Sequence, residues 1–78
     1  MTDVSKTLDA SGLACPMPIV RTRQAIDRLD VGQVLEVIST DRGSLQDIPA
    51  WAETIGHKLL DKRETSGRYT FLIEKAVG

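Results

Sequence analysis

The chain predicts a two-layer α/β sandwich of order β-α-β-α-β-β, a four-stranded mixed sheet carrying two helices on one face. Three observations point there. Apolar residues alternate over four short stretches, they recur at helical spacing over two longer ones, and turn-forming residues separate the six segments. At 78 residues the whole of 1–78 reads as a single domain. A domain of this size buries only about 60% of its unfolded surface, enough for a thin core and too little for a deep enclosed pocket.

Taken in order, Lys6 to Ala10 alternates with Leu8 and Ala10 on one face and stops at Ser11-Gly12, as a short strand entering a turn does. From Pro16 to Leu29, Ile19, Thr22, Ile26 and Leu29 fall on one helical face, and Val31-Gly32 closes the segment. Gln33 to Thr40 is a β-rich strand with Leu35 and Val37 on one side and Val34, Glu36 and Ile38 on the other. Asp41-Arg42-Gly43 ends it. A second helix carries Leu45, Ile48, Ala52 and Ile55 as its stripe. Ser44 and Asp47 are both good caps for it, and Pro49 favours a start close to Asp47, because proline is harmless only in a first turn. Gly56 suits its C-terminus. His57 to Glu64 and Arg68 to Lys75 then form a hairpin through Ser66-Gly67, with Tyr69, Phe71 and Ile73 sharing a face.

The composition narrows the function classes. Eleven acidic and 10 basic side chains are spread over both halves, so the one-signed field that nucleic acid or an anionic membrane selects is missing. No apolar run approaches the roughly 20 residues of a membrane span. The start, Met-Thr-Asp-Val-Ser-Lys, has no apolar stretch to act as a signal peptide, so a cytoplasmic location is expected. One cysteine leaves no internal disulfide, no Cys-x-x-Cys pair and no cysteine-built zinc site. No cofactor is expected, and the isolated chain is expected to be a monomer.

The chemistry concentrates in Gly12-Leu13-Ala14-Cys15-Pro16-Met17-Pro18. With Pro16 at the first helical position, Cys15 falls at the N-cap, and Pro16 and Pro18 sit where a missing N–H is not missed and fix the backbone that presents the sulfur. A free cysteine of pKa about 8.5 is only about 3% thiolate at pH 7, and a helix N-terminus lowers that pKa, which predicts a usable nucleophile. Pro18 biases Met17 away from helical angles and its missing N–H leaves Met17 as the nearest capping donor, so the stabilisation is expected to be weaker than at an ordinary helix start. The bland reading is a small buried hydrophobe at a turn. Topology puts Cys15 at the carboxyl edge of the parallel strands, where open α/β sheets usually place function. His57 follows the far end of the second helix at the opposite edge, so no Cys-His dyad forms and His57 reads as a solvated or satisfied surface group.

These residues resemble the TusA (SirA-like) family of sulfur carriers, whose Cys-Pro-x-Pro hallmark stands here as Cys15-Pro16-Met17-Pro18. The likeness extends to Leu8-Asp9, Gly12-Leu13, Gly32, Asp47-Ile48-Pro49 and the closing Tyr69-x-Phe71-x-Ile73-x-Lys75. It implies a cysteine that accepts sulfane sulfur as a persulfide from a donor such as a cysteine desulfurase or a rhodanese, and passes it to an acceptor protein. That role falls on Cys15 alone. Some relatives carry a second cysteine in the second helix, where this chain has Trp51-Ala52, so chemistry requiring an internal thiol pair is not implied.

Candidate partner contacts are Met17, an adaptable apolar side chain beside the sulfur, Val20 and Arg23 on the outer face of the first helix, where Arg23 and Asp27 form an i,i+4 pair, and Asp41, Arg42 and Asp47 at the cysteine's edge. Trp51 reads as core or helix-edge packing. The expected function is sulfur relay, serving tRNA thiolation, cofactor synthesis or dissimilatory sulfur oxidation. The chain would act as a transpersulfidation carrier rather than an independent multiple-turnover enzyme. The alternative is a protein-binding or regulatory module in which Cys15 only shapes a turn.

Overall fold

The computed structural model describes residues 4–78; residues 1–3, the first part of the polar start noted above, lie outside them. Strand β1 (Lys6–Ala10) is followed by helix α1 (Met17–Asp27), strand β2 (Val34–Ser39), helix α2 (Ser44–Ile55), and strands β3 (Lys58–Thr65) and β4 (Arg68–Glu74). The sheet order is β1-β2-β4-β3. β1 pairs parallel with β2, and β4 lies antiparallel between β2 and β3. β1, β2 and β3 therefore run the same way, and their C-terminal ends, including the hairpin turn after β3, share one edge.

The register explains which face is dry. Leu8 pairs with Val37 and Val37 with Phe71, so one pleat of three strands points the same way. Leu35, Val37, Phe71 and Ile73 from that pleat are fully buried against Ile26 of α1 and Ile48 of α2, in one cluster that also takes Ala25, Ala52 and Tyr69. Both helices therefore cover the same face. Thr22 lies fully buried in the α1 stripe because its hydroxyl donates to the Pro18 carbonyl at 2.7 Å, which satisfies it inside the helix. β3, at the free edge, is exposed along most of its length; its charged residues, and a bulge between Leu59 and Asp61, discourage pairing with another chain.

The strand ends and the start of α1 lie within one residue of the sequence reading, whereas two helix boundaries differ by more, for physical reasons. α1 stops at Asp27 rather than Leu29. The N–H groups of Arg28 and Leu29 bond back to the Ala25 and Ile26 carbonyls, and the Lys75 ammonium donates to the Leu29 carbonyl at 2.6 Å. A cation at the negative end of the helix thus takes over where the helical ladder ends. α2 begins at Ser44, not near Asp47, so Pro49 lies inside the helix. Tight bonds secure this early turn: Leu45 N–H reaches the Arg42 carbonyl, while the Gln46 and Asp47 N–H groups share the Gly43 carbonyl. Pro49 then withdraws one bond, to Leu45, from a helix already started. Ser44 is not a side-chain cap; its hydroxyl is buried against that of Ser39 at 2.8 Å. At the other end Gly56, at φ 102°, closes α2 in the left-handed conformation that glycine adopts without a Cβ clash. Ile55, assigned to the inward stripe, is 49% exposed.

Candidate functional site

Cys15 lies on the β1–α1 connection, a stretch held by short backbone bonds. Leu13 N–H donates to the Ala10 carbonyl at 3.2 Å and Met17 N–H to the Ala14 carbonyl at 2.9 Å. Across the edge, Gly12 N–H donates to the Thr40 hydroxyl at 2.8 Å, which ties this connection to the one between β2 and α2. The Cys15–Pro16 peptide bond is cis. Pro16 occupies the N-cap of α1, Met17 is the first helical residue and Pro18 the second. Cys15 is thus one residue outside the N-cap that the motif predicted. Pro16 is exposed, whereas Pro18 is buried and anchors the helix start.

The sulfur is a free, solvent-exposed thiol. Its neighbour is acidic: Cys15 Sγ donates to Asp47 Oδ2 at 3.6 Å. The expectation of a lowered pKa is overturned. Loss of hydration around the sulfur, the hydrogen bond to Asp47 and the negative charges of Asp47 and Asp41 all push the thiol above its ordinary value. The physical reason lies in the helix start. Of the donors nearest the sulfur, Met17 N–H is already given to Ala14 and Pro18 has none, while a carboxylate stands at hydrogen-bonding distance.

The predicted site residues divide into two groups. Asp47, from the first turn of α2, and Asp41, from the β2–α2 connection, come together at Cys15. An added Cβ on Gly43 would stand 3.3 Å from Asp41 Oδ2 and 3.6 Å from Asp47 Oδ2, so the two carboxylates flank this glycine. Arg42, between them in sequence, is exposed. Val20 and Arg23 instead line a groove between the helices with Ile19, Gln24, Asp27 and Trp51. Met17 is half-buried at the head of α1. Arg23 and Asp27 share the groove without an ion pair; the pair within 4 Å among the described residues is Arg63–Asp61 at 2.7 Å. Trp51, half-buried against the core, is the groove's far wall, and its ring centroid lies 5.6 Å from that of His57.

His57 sits just before β3, at the edge away from the thiol, and is buried with its Nδ1 accepting the Ala76 N–H at 3.1 Å. Burial first, then the charge of Lys75, holds its pKa below the ordinary value. Three contributors to the cysteine's edge carried no usable signal in the sequence: Thr40 as acceptor for the cysteine loop, Gly43 as the gap between two carboxylates, and the buried Ser39–Ser44 hydroxyl pair. Each is an ordinary turn or strand-end residue whose partner lies on another element.

Together the sandwich and this edge define a small α/β protein that presents one thiol to solvent from a braced loop. The comparisons place it further. A family model described as sulfurtransferase TusA matches residues 6–75. The sulfur carrier protein TusA of Allochromatium vinosum is 45% identical over 76 residues, covering 97% of this chain and 100% of that one. The putative sulfur carrier protein YrkI of Bacillus subtilis is 50% identical over 70 residues, covering 90% and 93%. Among solved structures, the SirA-like protein of Desulfitobacterium hafniense superposes with a TM-score of 0.79 at 27% identity, over 92% of this chain and 99% of that one. The chain belongs to the TusA family.

Proposed function

We propose that this sulfur carrier works through Cys15. Its thiolate attacks the outer sulfur of a donor persulfide, the donor's S–S bond breaks with its electron pair going to the donor sulfur, and Cys15 is left as a persulfide. An acceptor thiolate then attacks that terminal sulfur and the carrier returns to the thiol. The observation that carries the reading is the exposure of the thiol at the carboxyl edge of the parallel strands, beside the starts of both helices. A single transferred atom needs an accessible sulfur and a firm backbone, and the hydrogen bonds from Leu13, Gly12 and Met17 supply the firmness.

Donor and acceptor proteins follow from the carrier role. A cysteine desulfurase or rhodanese as donor, and tRNA thiolation, cofactor synthesis or sulfur oxidation as destination, are the finer parts of the proposal. Met17, Val20, Arg23, Asp41, Arg42 and Asp47 are its partner contacts, and the groove between the helices, with Val20 38% exposed, supports Val20 and Arg23. A sole cysteine that cycles between thiol and persulfide suits a reducing compartment, and the cytoplasm is the proposed location; among the described residues no helix is long and apolar enough to cross a membrane. Incubation with a persulfide donor followed by intact mass measurement should add one sulfur atom to the native chain and none to Cys15→Ala. No gain on the native chain, or equal gain on both, overturns the assignment. Retention of biological activity by Cys15→Ser would instead favour a binding module.

A further inference from the structure

We propose that Asp47, backed by Asp41, is a positioning and specificity residue for sulfur transfer: the two carboxylates hold Cys15 as an aimed thiol and turn away small anionic reactants. The proposal rests on Cys15 as the sulfur-bearing residue and adds what governs it.

The geometry is built rather than incidental. Asp47 is carried by the first turn of α2, whose N–H bonds to the Gly43 and Arg42 carbonyls fix its direction. Asp41 is held by its own N–H to the Ser39 hydroxyl at 3.1 Å and by its carbonyl, which accepts from Ser44 N–H at 3.0 Å. Both carboxylates converge on the space above Gly43, where any side chain would crowd Asp41. The cysteine loop is lashed to the same connection through Gly12 and Thr40. Neither carboxylate lies within 4 Å of a cationic side chain among the described residues. The charges acting on the sulfur are therefore those of Asp47 on α2 and Asp41 beside it, both negative.

This arrangement has a chemical consequence for both halves of the relay. In loading, only the thiolate attacks, and loss of hydration, the hydrogen bond to Asp47 and the charges of Asp47 and Asp41 all disfavour that form in the resting carrier. In discharge, an acceptor thiolate attacks the outer sulfur of the Cys15 persulfide. The S–S bond breaks, its electron pair stays on Cys15 Sγ, the neutral sulfur atom leaves on the acceptor, and no oxidant or reductant is consumed. A free anionic thiolate must approach the carboxylate pair unaided. A protein that brings positive charge to this edge cancels the repulsion and gains orientation at once. The carrier thereby loses little sulfur to small thiols in solution.

Alkylation kinetics test this without requiring a sulfur donor. For Asp47→Asn, the pH midpoint of iodoacetamide reaction should move down and the rate at pH 7 rise about two- to threefold, a larger thiolate fraction being partly offset by lower intrinsic nucleophilicity. The ratio of iodoacetate to iodoacetamide rates should rise about twofold or more at low ionic strength, and that gain should shrink at 1 M salt, where screening length falls to about 3 Å. Asp47→Glu, which keeps the charge, should stay near the native midpoint. Asp41→Asn should move both readouts the same way by less, and it serves alone if Asp47→Asn does not fold. An unmoved or raised midpoint in a variant with native circular dichroism overturns the proposal, as does an unchanged reagent ratio. Failure of sulfur to load on the native chain would overturn the role of Cys15 while leaving these kinetics interpretable.

Discussion

Ser39 and Ser44 support a quantitative prediction because both are fully or almost fully buried and share one hydroxyl–hydroxyl bond of 2.8 Å. Ser39 Oγ also accepts the Asp41 N–H at 3.1 Å. Ser44→Ala removes one partner and leaves the Ser39 hydroxyl with only the Asp41 bond, which should cost about 1–2 kcal/mol. Ser39→Ala orphans two groups, the Ser44 hydroxyl and the Asp41 N–H, and should cost about 2–4 kcal/mol. The double variant leaves only the Asp41 N–H unpaired, because no hydroxyl remains to be stranded. It should therefore cost about 1–2 kcal/mol, less than Ser39→Ala alone and well below the ~3–6 kcal/mol of independent effects.

Urea unfolding of the four chains, analysed as a double-mutant cycle, measures this directly. Thermal melts give a second reading, since ~1 kcal/mol moves the midpoint of a domain this size by about 4–8 °C. Additive losses would refute the reasoning, because they would mean that the two hydroxyls do not rely on each other. The pair also connects the core to the thiol. It pins β2 to the first turn of α2, the turn that carries Asp47, so Ser39→Ala should loosen Asp41 and raise the Cys15 alkylation rate at neutral pH toward that of Asp41→Asn.

Two further outcomes follow from the far edge and the hairpin. His57 is buried, accepts the Ala76 N–H through Nδ1 and has a depressed pKa, so the unfolded chain takes up its proton first as pH falls. Its contribution to stability is complete above the ordinary value of 6.5 and is lost as pH drops below it toward the folded pKa. The native chain should melt lower at pH 5 than at pH 7.5, and His57→Gln should flatten that slope; an equally steep slope in the variant would exclude His57 as its source. In the β3–β4 turn, Ser66 and Gly67 both have positive φ, at 50° and 78°. Ser66→Asn, better suited to that conformation, should raise stability by ~0.5 kcal/mol, and Gly67→Ala should lower it by ~1 kcal/mol in urea melts.

What the sequence carried was periodicity, and periodicity was enough for the architecture. The alternation of Tyr69, Phe71 and Ile73 put them on one face, which is the buried one, and the spacing of Thr22 and Ile26 put them on the helical face that α1 buries. The interleaving of strands and helices also placed Cys15 and Asp47 at one edge and His57 at the other. Boundaries were less legible because they depend on groups that lie on other elements. α1 ends where Lys75, 46 residues beyond Leu29, supplies its ammonium, and α2 starts three residues before the position Pro49 favoured because Ser39 receives Ser44 in the core. No local rule contains either partner.

The sign of the Cys15 shift shows the same limitation at the level of charge. A helix start attracts an anion through unpaired N–H groups and a partial positive charge, an effect that is modest at exposed sites and fades beyond the first turn. In this chain Pro18 deletes one of those donors, Met17 gives its own to Ala14, and Cys15 stands outside the cap. Against that residue of attraction stands a full negative charge on Asp47 at 3.6 Å, with Asp41 adding to it. Loss of hydration around the sulfur comes first, and a charge at contact distance then adds more than a depleted helix terminus removes, so the proline motif shapes the loop while the opposing connection works against the thiolate. A charge carried on a different element from the nucleophile can be masked by whatever docks against that element, so partner docking can change how readily Cys15 ionises.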